Sequence, residues 1–335
     1  MKKDELRVFH GLHNYGTQAG MLAEGLRKNG IQATSYVWKD EFDRLIDVNL
    51  SNKFSRCRIV RYYQRIVFFL HCFRRYNVFH FYFGLSLLPH NLDLPFYHIF
   101  GKKVVMEYLG TDVDFWLGLN GVDWRGRPVN RVELVKKIAR QSKQVDKQLV
   151  CSPHYYQFVD NSIILPLAID LNLYDYTPRD FDIKNLTFMH CPTNRKAKKT
   201  AEIEAAVKRL KDEGYVFTYK CIENVSHQQL KEEYKSSDVV IDQLNPWYGT
   251  VSVEAMALGR PVVANYYRHY FSFDNRFIGL PIIQADVFSI YEVLKSILDG
   301  KYDLKIIGKK SREFVENVHS LDAVINQLEK IYESL

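Results

Sequence analysis

The sequence predicts an α/β protein of two Rossmann-like, doubly wound domains facing each other across a cleft. Three observations carry this. Short apolar runs alternate with helical repeats through both halves of the chain. The alternation pauses at a polar connection, residues 172–185, and then restarts. Finally, 335 residues suit two domains of about 150 each, both able to bury a core. The first domain is expected over residues 1–170 and the second over 171–315. There is no short-period repeat and no low-complexity segment.

In chain order, residues 7–11 read as a strand, 13–19 as a loop, 20–28 as a helix closed by Gly30, and 32–38 as a second strand. This βαβ opening puts a glycine-containing loop at the carboxyl end of its first strand, the edge where open α/β sheets bind ligands. The loop lacks the G-x-G-x-x-G spacing, which counts against a nicotinamide cofactor. Strands follow at 78–83, 102–109, 148–152 and 162–169, with a helical pattern over 131–146. They place His80, Asp112 and Asp170 near strand ends. A lone histidine such as His80 is more often a satisfied core residue than a catalyst, yet His80 and Asp112 are both carried as catalytic candidates. In the second half, strands are expected at 186–191, 216–222, 238–244, 261–265 and 281–285, and helices at 200–212, 227–234 and 287–298, before two terminal helical stretches.

Residues 245–264, NPWYGTVSVEAMALGRPVVA, concentrate the chemistry. A glycine turn at Tyr248 and Gly249 opens a short helix. Gly259 stands where a C-cap belongs, and Pro261 starts the next strand. The N–H groups of Gly249, Thr250 and Val251 are expected to be free at the helix start, where an anion is favoured. Glu254 lies about one turn further in, placed to accept two hydroxyl hydrogen bonds beside a bound phosphate. The plainer reading makes Gly249 a tight turn and Glu254 a solvated residue. Loop 192–199, PTNRKAKK, sets Arg195 and Lys198 at the same sheet edge. Arg grips phosphate with two parallel hydrogen bonds and Lys acts as a point charge. Alone it reads as a solvated basic loop; together with Gly249 and Glu254 it reads as a diphosphate site.

Composition sets further bounds. Apolar residues make up 47%, charged residues 25% and aromatics 14%, an ordinary globular balance with a high aromatic share. The opening residues run straight into a strand without a signal-peptide pattern, and no apolar run reaches the roughly 18 residues that cross a bilayer. The five cysteines are scattered, with neither disulfide nor metal spacing. A cytoplasmic location is expected. Residues 48–92 contain no Asp or Glu but seven cations, Lys53, Arg56, Arg58, Arg61, Arg65, Arg74 and Arg75, equal to the whole formal charge of +7. Arg58, Arg61 and Arg65 recur at helical spacing, and Ile59, Tyr62, Ile66, Leu70 and Phe73 line another face. Two readings stay open for residues 53–75: a helix lying on an anionic membrane surface, or a core helix with a basic outer face. Nothing resembles a nucleic-acid-binding module, so no nucleic-acid partner is expected.

YGTVSVEAMALGRPVV resembles the signature of the family 4 glycosyltransferases, bacterial enzymes of the GT-B fold. HNYGTQAGMLAEGLRKNGIQA is similar to their phosphate loop and first helix, and CPTNRKAKK to their diphosphate site. The resemblance implies a retaining, metal-independent, hexosyltransferase-like enzyme of cell-surface polysaccharide synthesis. It would move a sugar from a nucleoside-diphosphate-sugar donor to a glycan or lipid-linked acceptor. No cofactor and no metal are expected, and if residues 53–75 lie on a membrane the enzyme would be peripheral on the inner face of the cell membrane. Arg195 and Lys198 would hold the diphosphate with the amides of Gly249, Thr250 and Val251, and Glu254 the ribose. Gly16 and Thr17 would approach the donor phosphates. The C-terminal stretch 316–335 is similar to a closing helix that packs back on the first domain. Three positions depart from the family pattern. The usual sugar-binding carboxylate eight residues before Glu254 is Pro246, leaving Asn245, Trp247 or Tyr248 to take its place. Leu109 and Tyr82 stand where relatives carry histidines. Other readings are an epimerase or phosphorylase acting on a nucleotide-sugar, or a non-catalytic glycan-assembly partner.

Overall fold

A computed structural model describes residues 1–39, 45–51, 53–110, 112–113, 130–245 and 247–335. Residues Met1–Ala168 and Leu321–Leu335 form one compact unit, and Ile169–Ser320 form a second.

The first unit is built on strands β1 (Arg7–Leu12), β2 (Gln32–Val37), β3 (Val48–Asn49), β4 (Val78–Tyr82), β5 (Lys103–Tyr108), β6 (Lys147–Val150) and β7 (Ile163–Ile164). They lie in the order β3-β2-β1-β4-β5-β6-β7, with every pairing parallel. Helices α1 (Gln18–Lys28), α2 (Arg58–Arg75), α3 (Leu94–Ile99) and α4 (Arg131–Gln141) connect them. Parallel strands are covered on both faces, which is why β4 and the inner part of β5 are buried at almost every residue.

Two sequence expectations change here. The helix expected over 131–146 ends at Gln141, and Asp146 instead accepts the Val104 amide at 2.8 Å, anchoring the start of β6. The strand expected over 162–169 is only Ile163–Ile164. The Gln18 side chain takes the place of a neighbouring strand further on. Its Oε1 accepts the Ala168 N–H at 2.7 Å, and its Nε2 donates to the Ala168 carbonyl at 3.0 Å.

The second unit holds β8 (Thr187–His190), β9 (Thr218–Cys221), β10 (Val239–Ile241), β11 (Val262–Ala264) and β12 (Ile282–Gln284), in the order β12-β11-β10-β8-β9. Its helices are α5 (Arg195–Lys198), α6 (Thr200–Asp212), α7 (His227–Ser236), α8 (Thr250–Ala257), α9 (Arg268–Phe271), α10 (Ile290–Leu298) and α11 (Leu304–Val318). Phe188, Ile241 and Val263 from the sheet pack with Ile203 and Leu210 of α6 and Leu294 and Ile297 of α10. Gly259 ends α8 at φ +78, and the Gly259 and Arg260 amides bond back to the Met256 and Ala255 carbonyls at 2.9 and 3.0 Å. That is the left-handed cap for which glycine is suited.

The last helix, α12 (Leu321–Glu333), belongs to the first unit. Val324, Ile325 and Leu328 pack with Leu22, Ala23 and Leu26 of α1. A Cβ at Gly25 would stand 2.6 Å from Ile325 Cγ1, so the close approach of α1 and α12 needs glycine there.

Candidate functional site

In the second sheet β8 pairs with β9 on one side and β10 on the other, so the strand order reverses between β8 and β10. Chains leaving the carboxyl ends of two such strands diverge to opposite faces and open a crevice, the usual ligand position in open α/β sheets. Here the chain after β8 enters α5, and the chain after β10 leads to α8. His190, the last residue of β8, ties the two strands together. Its Nδ1 lies 2.9 Å from the Ile241 carbonyl and its Nε2 2.9 Å from the Thr200 hydroxyl. Burial holds its pKa down, so Nδ1–H donates to the carbonyl and neutral Nε2 accepts from the hydroxyl.

Asp242, one residue past β10, is fully buried at this point. It accepts hydrogen bonds from Lys198 Nζ, from Ser252 Oγ at 2.6 Å and from the Gly249 amide at 3.1 Å. Burial pushes the Asp242 carboxyl up, but the Lys198 charge and these hydrogen bonds outweigh it and hold the pKa below the ordinary value. A buried ion pair therefore sits at the start of α8. This corrects one expectation: the Gly249 amide is not free, because Asp242 occupies it. Among the described residues nothing accepts from the Thr250 and Val251 amides, which remain pointed out of the first turn.

The residues around this pair are brought together by short local bonds. Asn194 caps α5 by accepting the Ala197 amide at 2.9 Å. Asn245 Nδ2 donates to the Ala197 carbonyl, joining the loop after β10 to α5. The Trp247 carbonyl accepts from Gln243 Nε2 at 2.7 Å. Tyr248 turns the other way: its hydroxyl lies 2.9 Å from His319 Nε2 and its ring packs on Phe271. Pro246 lies outside the described residues.

Arg195 and Glu254 each have carboxylate or hydroxyl partners already. Glu204 takes Arg195 Nη2 through both oxygens at 2.7 and 2.6 Å, and Glu223 takes Nη1 at 2.7 Å. The hydrogen bonds that Arg195 donates to Glu204 and Glu223 raise the guanidinium pKa further. This is an exposed cluster, so its ion pairs exchange readily for another anion. Glu254 Oε1 stands 3.0 Å from His227 Nε2, and Oε2 accepts the Tyr234 hydroxyl at 3.1 Å. Tyr174 completes the group, its hydroxyl 3.2 Å from His227 Nε2.

The remaining candidates lie in the first unit. Gly16 (φ +50) and Thr17 (φ +67) both have left-handed backbone at the entry to α1. His80, in the middle of β4, is wholly buried. Its Nδ1 lies 2.7 Å from the Tyr332 hydroxyl and its Nε2 3.0 Å from Glu107 Oε2. Burial pushes Glu107 up to about 8 and His80 down to about 3, so the proton resides on Glu107 and is donated to His80 Nε2. Tyr332 in turn lies 3.3 Å from His10 Nε2, and His10 Nδ1 lies 2.7 Å from the Tyr82 hydroxyl. Every member of this chain is satisfied without a charge. Asp112 accepts the Gly110 amide at 2.8 Å and the Leu109 amide at 3.2 Å, while its Oδ2 has no partner among the described residues. Burial lifts its pKa to about 6. Thr111, beside it, lies outside the described residues.

Sequence reasoning missed Ser252, His227 and Tyr234, and gave Asp242 no role. Asp242 carried a signal: an acid ending an apolar strand within ten residues of a helix start. Among the described residues, no group of His, Cys, Asp and Glu side chains is arranged to hold a metal ion. No described helix is long and apolar enough to cross a membrane.

No family model matches the sequence, and no curated protein matches it either. Solved structures do match over nearly the whole chain. HepE from Anabaena in complex with UDP-glucose gives a TM-score of 0.61 at 12% identity, covering 98% of this chain and 99% of that one. A Listeria monocytogenes protein described as a UDP-N-acetylglucosamine 2-epimerase gives 0.56 at 11%, covering 100% and 98%. An alpha-glucosyltransferase in complex with UDP and a mismatched 13-mer DNA gives 0.55 at 13%, covering 98% of each. At such identities the likeness establishes the fold: this chain has two Rossmann-like α/β domains of the GT-B kind.

Proposed function

We propose that the chain is a glycosyltransferase of the metal-independent, hexosyltransferase-like kind, moving a sugar from a nucleoside-diphosphate donor to a glycan or lipid-linked acceptor in cell-surface polysaccharide synthesis on the cytoplasmic side. The observation that carries this is the buried Lys198–Asp242 pair at the strand-order reversal, beside the two open amides of Thr250 and Val251. A structural ion pair would not need to stand at a helix start in the crevice. Asp242 holds the Lys198 ammonium in place before a ligand arrives, the preorganisation that makes electrostatic stabilisation effective.

In this reading the diphosphate lies on the Thr250 and Val251 amides and meets Lys198, with Arg195 exchanging Glu204 for a phosphate oxygen. Glu254 accepts the ribose hydroxyls once His227 has moved off its Oε1. The bond between the sugar C1 and the diphosphate oxygen breaks, and the negative charge gathers on the diphosphate where the two cations stand. The acceptor hydroxyl forms the new bond to C1, and its proton passes to the departing phosphate oxygen, giving retention. The cations and amides carry the charge, so the reading requires no metal and no resident cofactor. Asn245 and the Trp247 backbone are the groups nearest the place of the missing sugar-binding carboxylate. Of the two catalytic candidates in the first unit Asp112 is the better, because both ring nitrogens of His80 are already engaged.

A thermal-shift screen against UDP-, GDP- and ADP-sugars tests the reading, since a ligand of the native state alone raises the melting point. No shift with any of them would leave a non-catalytic partner as the better account. The Listeria structure gives a second reading some weight, an epimerase acting on a nucleotide-sugar. Incubation with donor alone separates the two: an epimerase changes the donor's sugar without an acceptor, whereas a transferase leaves it unchanged.

A further inference from the structure

Helix α2 has two apolar faces, and the first unit covers only one. On the covered face Phe69 and Cys72 are buried, and Phe73 packs 5.6 Å from the Tyr97 ring. Arg65 is turned inward too, 4.5 Å over Trp38 and donating to the Leu87 carbonyl at 2.7 Å, so it is not part of an outer basic face. The other face carries Ile59, Tyr63, Val67 and Leu70, whose spacings of four, four and three set them in one stripe along the helix. Ile59 is 82% exposed and Tyr63 67%. The apolar surface continues past the end of α3, where Ile99 is 72% exposed and Phe100, its ring 5.5 Å from Phe73, is 63% exposed. Single exposed apolar side chains are ordinary, but a contiguous run of them marks a surface that something covers.

The charge around the stripe says what covers it. Arg58 and Arg61 stand at one end and Arg74 and Arg75 at the other, and residues 48–92 hold no acid. A recess of about 460 Å³ on this face is lined by Val67, Leu70, His71, Arg74 and Arg75, an apolar floor with a cationic rim. A second copy of the chain would bring the same cations against each other across a symmetric interface. A bilayer with anionic headgroups presents one sign of charge above an apolar layer, which matches both features.

We propose that α2 docks in the plane of an anionic lipid bilayer. Ile59, Tyr63, Val67 and Leu70 enter the boundary between headgroups and acyl chains, and Arg58, Arg61, Arg74 and Arg75 lie against lipid phosphates. The docking does not depend on sugar transfer, and no donor is needed to detect it.

The test is co-sedimentation of the full chain with phosphatidylcholine vesicles, with and without about one-third phosphatidylglycerol, at low and high salt. The protein partitions onto the anionic vesicles, at least about tenfold less onto the neutral ones, and is released as salt rises. The double variants Tyr63→Ser with Leu70→Ser and Arg74→Glu with Arg75→Glu each lower partitioning by about tenfold or more. Their melting points stay unchanged, because these side chains are exposed. Equal partitioning onto neutral and anionic vesicles overturns the proposal, as does undiminished binding by both folded variants. Failure to bind any vesicle overturns it too, and a concentration-dependent dimer that Leu70→Ser abolishes would then assign the stripe to a second copy of the chain.

Discussion

Two deeply buried polar groups, one in each sheet, behave in opposite ways. In the first sheet His80 and Glu107 lie away from water, and burial drives both to their neutral forms. In the second, Asp242 is buried just as completely, yet it stays ionised because Lys198 sits on it and Ser252 and Gly249 complete its hydrogen bonds. A neutral, satisfied network costs little and belongs to a core. A charge held in the interior must be kept there by a partner, and the partner here stands at a helix start in a crevice. Burial alone therefore does not mark a functional residue; a charge maintained against burial is the more informative sign.

The comparison breaks most sharply at Lys198. Replacing it by Met leaves Asp242 buried and unpaired, and the expected loss is about 3–5 kcal/mol in a denaturant titration. The wild-type pair contributes stability that is present above the ordinary carboxylate pKa and is lost as pH falls through the depressed value of Asp242. In Lys198→Met the carboxyl titrates higher, so the gap between the two proteins narrows in acid. A constant gap from neutral pH to about pH 3 would mean Lys198 does not keep Asp242 charged. Arg195→Ala comes next: turnover is expected to fall about 100- to 1,000-fold with little change in melting point, since its ion pairs are exposed. Undiminished turnover would remove Arg195 from the diphosphate site. Glu254→Gln sharpens the second sheet's side, weakening nucleotide binding about tenfold or more by calorimetry. A 2′,3′-dideoxy nucleotide should bind both proteins alike.

The dependence of stability on pH tests the first sheet. Glu107 is protonated in the folded protein up to about pH 8 but ionises near its ordinary value when unfolded. Folding is thus penalised increasingly as pH rises between those values, by at most about 1.4 kcal/mol per pH unit. Glu107→Gln removes the penalty, so the variant should gain on wild type from about pH 5 to about pH 8. Parallel stability curves would show that the buried pair is charged after all.

Much of the frame was legible in the residues. The helix Thr200–Asp212 has the bounds its periodicity predicts, and Gly259 ends α8 in the left-handed conformation its position implies. What escaped depended on contacts between distant segments. Nothing local announces that Gln18 bonds the backbone of Ala168, shortening a strand expected to run through it. Nor does it show that Asp242 closes over the Gly249 amide, or that Arg65 leaves its helical companions to lie over Trp38. The exposure of the Ile59–Leu70 stripe was equally hidden, since periodicity shows that a face is apolar but not whether anything lies against it.

The α12 helix has a consequence for how the protein is made. Its Tyr332 bonds to His80 in β4, yet every residue of the second compact unit is synthesised between them. On the ribosome, strands β1 to β7 must wait with the α1 groove uncovered and His80 short of a partner while a whole other domain emerges and folds. Nascent-chain protection at that groove should therefore arrive last, out of step with the order of translation.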